Sequence, residues 1–277
     1  MIVFHPPQTQ MANVMFIYAC AKCLAIKNDT SFCLAEGLEK LHYFDIPDTV
    51  AVNKLKYGAF KIHNKVALKK YKFFHNQDYR NDFSLTMKNE TNKNLWYYGY
   101  FQNTNYFMGF DDEVKSWFTI KQVYKNQYEK AIQQLNPQGK KVISVHIRLK
   151  DYKTFGPDFL GGPDLTLPMN YYHNLLKQFD ENEYQIIFMS DDIEEVKKEF
   201  GNIKSARFST ENSIVDFQII QHANVCINAH STFSWWAAWL NKNEDKKVFV
   251  PNNFLGFKIG VETPKNIIPK GWNRVDV

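Results

Sequence analysis

Between Lys141 and Val250 the chain alternates short apolar runs with longer amphipathic stretches, and that alternation leaves few folds open. The runs are Lys141 to Arg148, Tyr184 to Met189, Val225 to Asn228 and Lys247 to Val250. Each is about the length of a strand and mostly apolar, as expected of a strand covered on both faces. Between them, Met169 to Phe179, the stretch from Ser190-Asp191-Asp192 to Phe200, Ile214 to Ala223, and Ser231 to Leu240 read as helices. Strands alternating with helices imply a parallel, doubly wound α/β sheet. Ligands on such sheets bind beyond the carboxyl ends of the strands.

The first half has a different texture. Met11 to Lys27 reads as one helix, and Leu95 to Phe101 as an aromatic strand. Asp111 to Leu135 reads as a helical stretch, closed by the turn signal Asn136-Pro-Gln-Gly. That turn predicts two domains, 1–136 and 137–277, within what 277 residues allow. At 44% apolar and 16% aromatic the composition excludes disorder and collagen-like structure. No uncharged apolar run approaches the roughly 18–20 residues of a membrane span. The start, Met1 to Pro7, lacks the basic and apolar regions of a signal peptide. Four cysteines in a chain this long point to a reducing cytosol rather than a disulfide framework.

The net charge is +5, unevenly spread. From Thr49 to Gln77 there are seven lysines and no acid, which leaves the rest of the chain at −2. The ordinary reading is a solvated helical face. Interleaved Tyr57, Phe60, Tyr71 and Phe73 keep two sharper ones open, an anionic membrane surface or nucleic acid.

Three motifs fall where a parallel sheet would put a ligand. The first is His146-Ile-Arg148-Leu-Lys150-Asp151-Tyr152. Alternation puts Ser144, His146 and Arg148 on one face of a strand whose apolar rule they break, and Arg is suited to gripping phosphate. A strand emerging into solvent is the plain alternative. The second is Ser190-Asp191-Asp192, which reads equally as a helix cap or as a carboxylate for a ribose or base edge. The third is Asn228-Ala-His230-Ser231-Thr232-Phe233-Ser-Trp-Trp-Ala-Ala-Trp-Leu-Asn241. Here a helix starts behind a strand, so free backbone N–H groups and the helix dipole form an anion site, with the tryptophans in the core. Cys20-x-x-Cys23 lies in an apolar helix without a βαβ pattern, which argues against redox or zinc chemistry. There is no Walker loop, nucleophile elbow or dinucleotide fingerprint.

Together these segments resemble the family 11 glycosyltransferases, the α-1,2-fucosyltransferases that use GDP-fucose. The stretch from Asp216 to Asn241 is similar to a family segment reading Ser-Ser-Phe-Ser-Trp-Trp. His146 to Tyr152 resembles His-x-Arg-Arg-Gly-Asp-Tyr, and Tyr98-Gly-Tyr-Phe-Gln102 resembles a Gly-Tyr-Trp-Gln segment. Thr9 to Ala19 aligns with the family opening Gly-Gly-Leu-Gly-Asn-Gln-Met-Phe-Gln-Tyr-Ala. It keeps Asn13, Met15, Phe16, Tyr18 and Ala19 but none of the glycines or glutamines.

The resemblance implies a GT-B-like α/β fold of two Rossmann-like domains, with the donor site in the cleft between them. It implies an N-terminal acceptor-side domain and a C-terminal donor domain. It also implies an inverting transfer of fucose to the 2-hydroxyl of a galactose-ended glycan, with no metal and no cofactor beyond the donor. Carried over residue by residue, Asn13, His146, Arg148, Asp191, Ser231, Thr232 and Phe233 are the donor contacts. Arg148 meets the pyrophosphate, Asp151 is the leading candidate for the base, and His146 is second. The expected partners are a sugar nucleotide and a glycan acceptor, not nucleic acid. The expected location is a bacterial cytoplasm, with peripheral contact at the inner membrane through the lysine window. The altered opening motif leaves two alternatives: a family member that binds without turnover, or a transferase with another donor sugar.

Overall fold

The computed structural model describes residues 2–46, 71–76 and 94–277. Apart from residues 71–76, the lysine window lies outside the described residues. The chain forms two compact units. One comprises Met1–Ile120 with Pro264–Ile267, the other Lys121–Thr263 with Ile268–Val277.

The first unit holds strands β1 (Ile2–His5), β2 (Phe32–Leu34), β3 (Tyr71–Asn76) and β4 (Asn94–Gly99), with helices α1 (Met11–Lys27) and α2 (Asp111–Trp117). The strands form a parallel sheet in the order β2-β1-β4-β3. Helix α1 spans the residues its sequence predicts. It has almost no polar face, and twelve of its residues are buried. Cys20 and Cys23 are among them, and burial pushes the Cys23 thiol up to about 12, out of reach of thiolate chemistry at neutral pH. Phe4 on β1 stacks on Tyr97 of β4 with centroids 4.9 Å apart.

The expected helical stretch over 111–135 is two helices. The chain breaks at Phe118 and Ile120, both buried, and Ile120 bridges to Phe44. A continuous helix would lift these two side chains out of the first unit's core. The second piece, α3 (Gln122–Leu135), belongs to the second unit, where Tyr128 stacks on His222. The passage between units therefore falls at 120/121, ahead of the turn at Asn136 that predicted it.

The second unit carries β5 (Lys141–Ile147), α4 (Met169–Leu176), β6 (Tyr184–Ser190), α5 (Ile193–Phe200) and β7 (Ala206–Phe208). There follow α6 (Ser213–His222), β8 (Val225–Asn228), α7 (Thr232–Trp239), β9 (Lys247–Pro251) and β10 (Asn273–Val275). The sheet is parallel, in the order β10-β9-β8-β5-β6-β7. From β5 the chain winds outward one way through β6 and β7. It then returns to β8 and winds the other way. The order thus reverses between β5 and β8, the point at which sheets of this kind place a ligand crevice, at the strands' carboxyl ends. Trp235 and Trp236 are buried behind it, with ring centroids 5.0 Å apart.

Candidate functional site

The reversal point puts two of the sequence motifs side by side. His146, near the end of β5, is in register with Asn228, the last residue of β8. Both are buried, and both carry a polar atom without a hydrogen-bond partner, Nδ1 of His146 and Oδ1 of Asn228. Buried polar atoms in folded proteins are nearly always paired, so two unpaired ones side by side at the sheet's carboxyl edge make this a candidate place for a ligand's polar groups. Burial first, then the Arg148 charge and the nearness of the His230 ring, which disfavours a second proton, push His146 down to about 3. Its ring is therefore neutral at physiological pH and a weak base.

Past His146 the strand ends and Arg148 turns into the open. Nε and Nη2 donate to the two carboxylate oxygens of Asp151 at 2.8 and 2.9 Å, a two-pronged pair. Asp191, at the end of β6, stands 3.5 Å from Nε. Its own oxygens accept the backbone N–H groups of Leu149 and Lys150 at 2.9 and 3.1 Å. Asp191 thus holds the turn after β5 in shape. The helix cap beside it is Asp192, which accepts from Glu195 N. Lys150 has its side chain in solvent.

The third motif forms the other wall. Ser231 caps α7, its hydroxyl accepting from Phe233 N at 3.3 Å. Thr232 opens the helix, half-buried, and the Phe233 ring lies 5.5 Å from that of His146. So His146, Arg148, Asp151, Asp191, Ser231, Thr232 and Phe233 all sit at the carboxyl edge of one sheet. Asn13 belongs to the first unit, where its Oδ1 accepts from Gln102 Nε2 at 2.8 Å. That bond joins two of the N-terminal motifs, 89 residues apart.

Three further residues of the second unit carry perturbed or bridging polar groups. His230 is buried, and its Nε2 donates to the carbonyl of Leu165 at 2.7 Å, which leaves Nδ1 bare and unpartnered. Burial holds it down to about 4. Tyr152 bridges the two walls: its hydroxyl donates to the His230 carbonyl at 3.2 Å, and Arg148 lies 5.8 Å over its ring. Asp216, on α6, accepts from Ser209 Oγ, and burial pushes its carboxyl up to about 7. All three lie within the sequence motifs, but their partners are 7 to 78 residues away, so no local spacing marks them. Among the described residues, no three His, Cys, Asp or Glu side chains cluster as metal ligands. The arrangement suits a phosphorylated ligand: one cation, a helix start with two hydroxyls, and neutral buried imidazoles.

Comparison with known proteins bears on the family and the fold. A family model described as "Glycosyl transferase family 11" matches residues 6–274. The Escherichia coli "Alpha-1,2-colitosyltransferase" is 26% identical over 85% of this chain and 86% of its own length. The Escherichia coli "O-antigen biosynthesis glycosyltransferase WbnK" is 29% identical over 64% of this chain, a match spanning 60% of WbnK. Among solved structures, a point mutant of Arabidopsis thaliana FUT1 in complex with GDP superposes with a TM-score of 0.58 at 12% identity, covering 90% of this chain and 70% of that one. The fucosyltransferase NodZ from Bradyrhizobium gives 0.54 at 7% identity, over 86% and 91%. At such identities the likeness speaks for the fold, which is α/β and GT-B-like with parallel sheets.

Proposed function

This chain belongs to glycosyl transferase family 11, and from that premise we propose that it moves L-fucose from GDP-fucose to the 2-hydroxyl of a galactose-ended glycan, with inversion and without a metal. The observation that carries the reading is Arg148, an arginine at the reversal point on the same strand end as a buried imidazole with an unpartnered nitrogen. GDP and fucosyl chemistry are supported by the similar folds of FUT1 in complex with GDP and of the fucosyltransferase NodZ. A polysaccharide acceptor is supported by the O-antigen role in WbnK's name.

In this reading the anomeric C–O bond breaks as the acceptor oxygen attacks, and its electron pair passes to the diphosphate. The transition state is oxocarbenium-like. Growing negative charge on GDP is met by Arg148, by the α7 start at Ser231 and Thr232, and by the neutral polar edge of His146. Phe233 walls the site. Asp191 serves the donor through the turn it shapes.

Asp151 occupies two of the five N–H donors of Arg148, on Nε and Nη2. In this reading a diphosphate that competes for that face frees Asp151, and the released carboxylate takes the acceptor proton. His146, held neutral and weakly basic, is the poorer base.

A second reading rests on the colitosyltransferase, which matches most of this chain, together with the altered motif at Thr9 to Ala19. There the chemistry is the same and the donor sugar differs.

Titration calorimetry with GDP, GDP-fucose, GDP-mannose and UDP-galactose, without added metal, tests both. The first reading expects GDP and GDP-fucose to bind and Arg148→Ala to abolish that binding. Preference for another nucleotide sugar moves the assignment to the second. Binding that Arg148→Ala leaves untouched removes the site.

A further inference from the structure

Directly after the Arg148 turn the chain makes a closed loop from Tyr152 to Leu165. Its neck is tied three ways. Leu165 N donates to the Tyr152 carbonyl at 2.7 Å, His230 Nε2 donates to the Leu165 carbonyl, and the Tyr152 hydroxyl donates to the His230 carbonyl. Gly156 N donates to the Pro163 carbonyl at 2.7 Å. A side chain at Gly156 would meet the Gly162 carbonyl at 2.1 Å, so the two arms are in backbone contact. Compact loops closed at the neck in this way hold their tips in fixed positions.

The rigid tip is apolar where a solvated loop should be polar. Phe155 is 53% exposed and Phe159 55%. Against the loop lies a second segment, where a Cβ at Gly161 would touch Lys258 and Ile259. That segment exposes Ile259 and Val261. None of these side chains is needed for the core. Phe155 lies parallel to Tyr152 at 5.6 Å, and Tyr152 lies under Arg148 at 5.8 Å. The exposed ring is thus two steps, each under 6 Å, from the guanidinium.

We propose that this loop is the platform for the acceptor glycan, with Phe155 and Phe159 stacking against the C–H faces of neutral sugar rings. The proposal rests on the transferase reading and names the substrate surface of that site. Charge selects the occupant. Over Lys150 to Thr166, with Lys258 against it, three lysines face three aspartates; Lys153 is paired with Glu195 at 2.7 Å and Lys258 donates to the Asp164 carbonyl. A surface without net positive charge does not draw an anionic membrane or nucleic acid. A polyhydroxylated neutral ligand needs flat apolar faces flanked by hydroxyl and carboxylate acceptors. The exposed phenyl rings share this segment of chain with Asp158, Asp164 and Thr166, which brings both kinds of group to it.

The test compares the wild-type protein with Phe155→Ala/Phe159→Ala, and with Phe155→Trp as the conservative variant. The probes are GDP, by calorimetry, and an array of galactose-ended oligosaccharides, read in the presence of GDP. The proposal expects GDP affinity to stay within twofold in all three proteins. It expects glycan affinity to fall at least tenfold in the double alanine variant and to be kept in Phe155→Trp. Equal glycan binding in wild type and double variant overturns it. So does wild-type protein that binds GDP but none of the glycans, and so does loss in the double variant of binding to uncharged phosphatidylcholine vesicles instead of glycans. Glycan binding that depends on the two rings in a protein that binds no GDP leaves this inference standing and removes the donor reading.

Discussion

At the residue scale the pair Arg148–Asp151 decides how donor and acceptor steps are linked. If Asp151 is displaced by the diphosphate and then serves as base, Asp151→Asn lowers turnover by about 10²–10⁴ and leaves GDP affinity equal or tighter, because a competitor for Arg148 has gone. If Asp151 only aims the guanidinium, the same variant weakens GDP binding. Single-turnover rates beside GDP titrations separate the two. The crevice histidines make a second prediction. An ordinary histidine in the unfolded chain takes its proton near pH 6.5, whereas the fold holds His146 to about 3 and His230 to about 4. Between those values the unfolded chain binds more protons, so stability rises with pH and levels off above about 6.5. Asp216, raised to about 7, works the other way, binding its proton more tightly when folded and removing stability as pH rises towards 7. His146→Gln is expected to flatten the rise and Asp216→Asn to steepen it, as read by denaturant unfolding at four pH values from about 4.5 to 7.5. An unchanged slope in both would show that neither group titrates differently on folding.

At the element scale, α7 unites structure and site. Its cap, Ser231, satisfies Phe233 N, while Trp235 and Trp236 fix the helix from below. Ser231→Ala is expected to cost about 1 kcal/mol of stability and to weaken GDP binding as well. Trp235→Ala is expected to cost about 3–5 kcal/mol, read as a drop in Tm. The helix and its strand were legible in the sequence because apolar runs and a cap residue are local signals. So were β5, β6, β8 and β9, short apolar runs whose alternation with helical stretches leaves a parallel strand as their reading. The three-residue strands β7 and β10 were not, being edges defined by pairing rather than by pattern. Nor was the break before α3, which answers to the buried positions of Phe118 and Ile120. In the site, spacing showed Arg148 and Asp151 three residues apart but not that they grip each other. The neck formed by Tyr152, Leu165 and His230 spans 78 residues at its widest and has no local trace.

At the scale of the whole molecule, the chain's path matters more than any one contact. It forms the first unit, passes at 120/121 to the second, returns for Pro264–Ile267, and ends in the second with β10. The short return is bonded: the Asn266 carbonyl accepts from both N and Oγ1 of Thr104, at 3.1 and 2.9 Å. Truncation after Thr263 is therefore expected to destabilise both units, lowering protection from amide exchange in β1 and β4 as well as in β9. Loss confined to the second unit would show that the return contributes nothing. This path also sets an order of events during synthesis. Thr104 leaves the ribosome 162 residues before the carbonyl it binds, a wait of roughly 8–30 seconds at ordinary elongation rates. The amino-terminal half must stay soluble through that interval with its last piece missing. Translation speed over the second half, and the chaperones that hold nascent chains, therefore become determinants of the yield of folded protein.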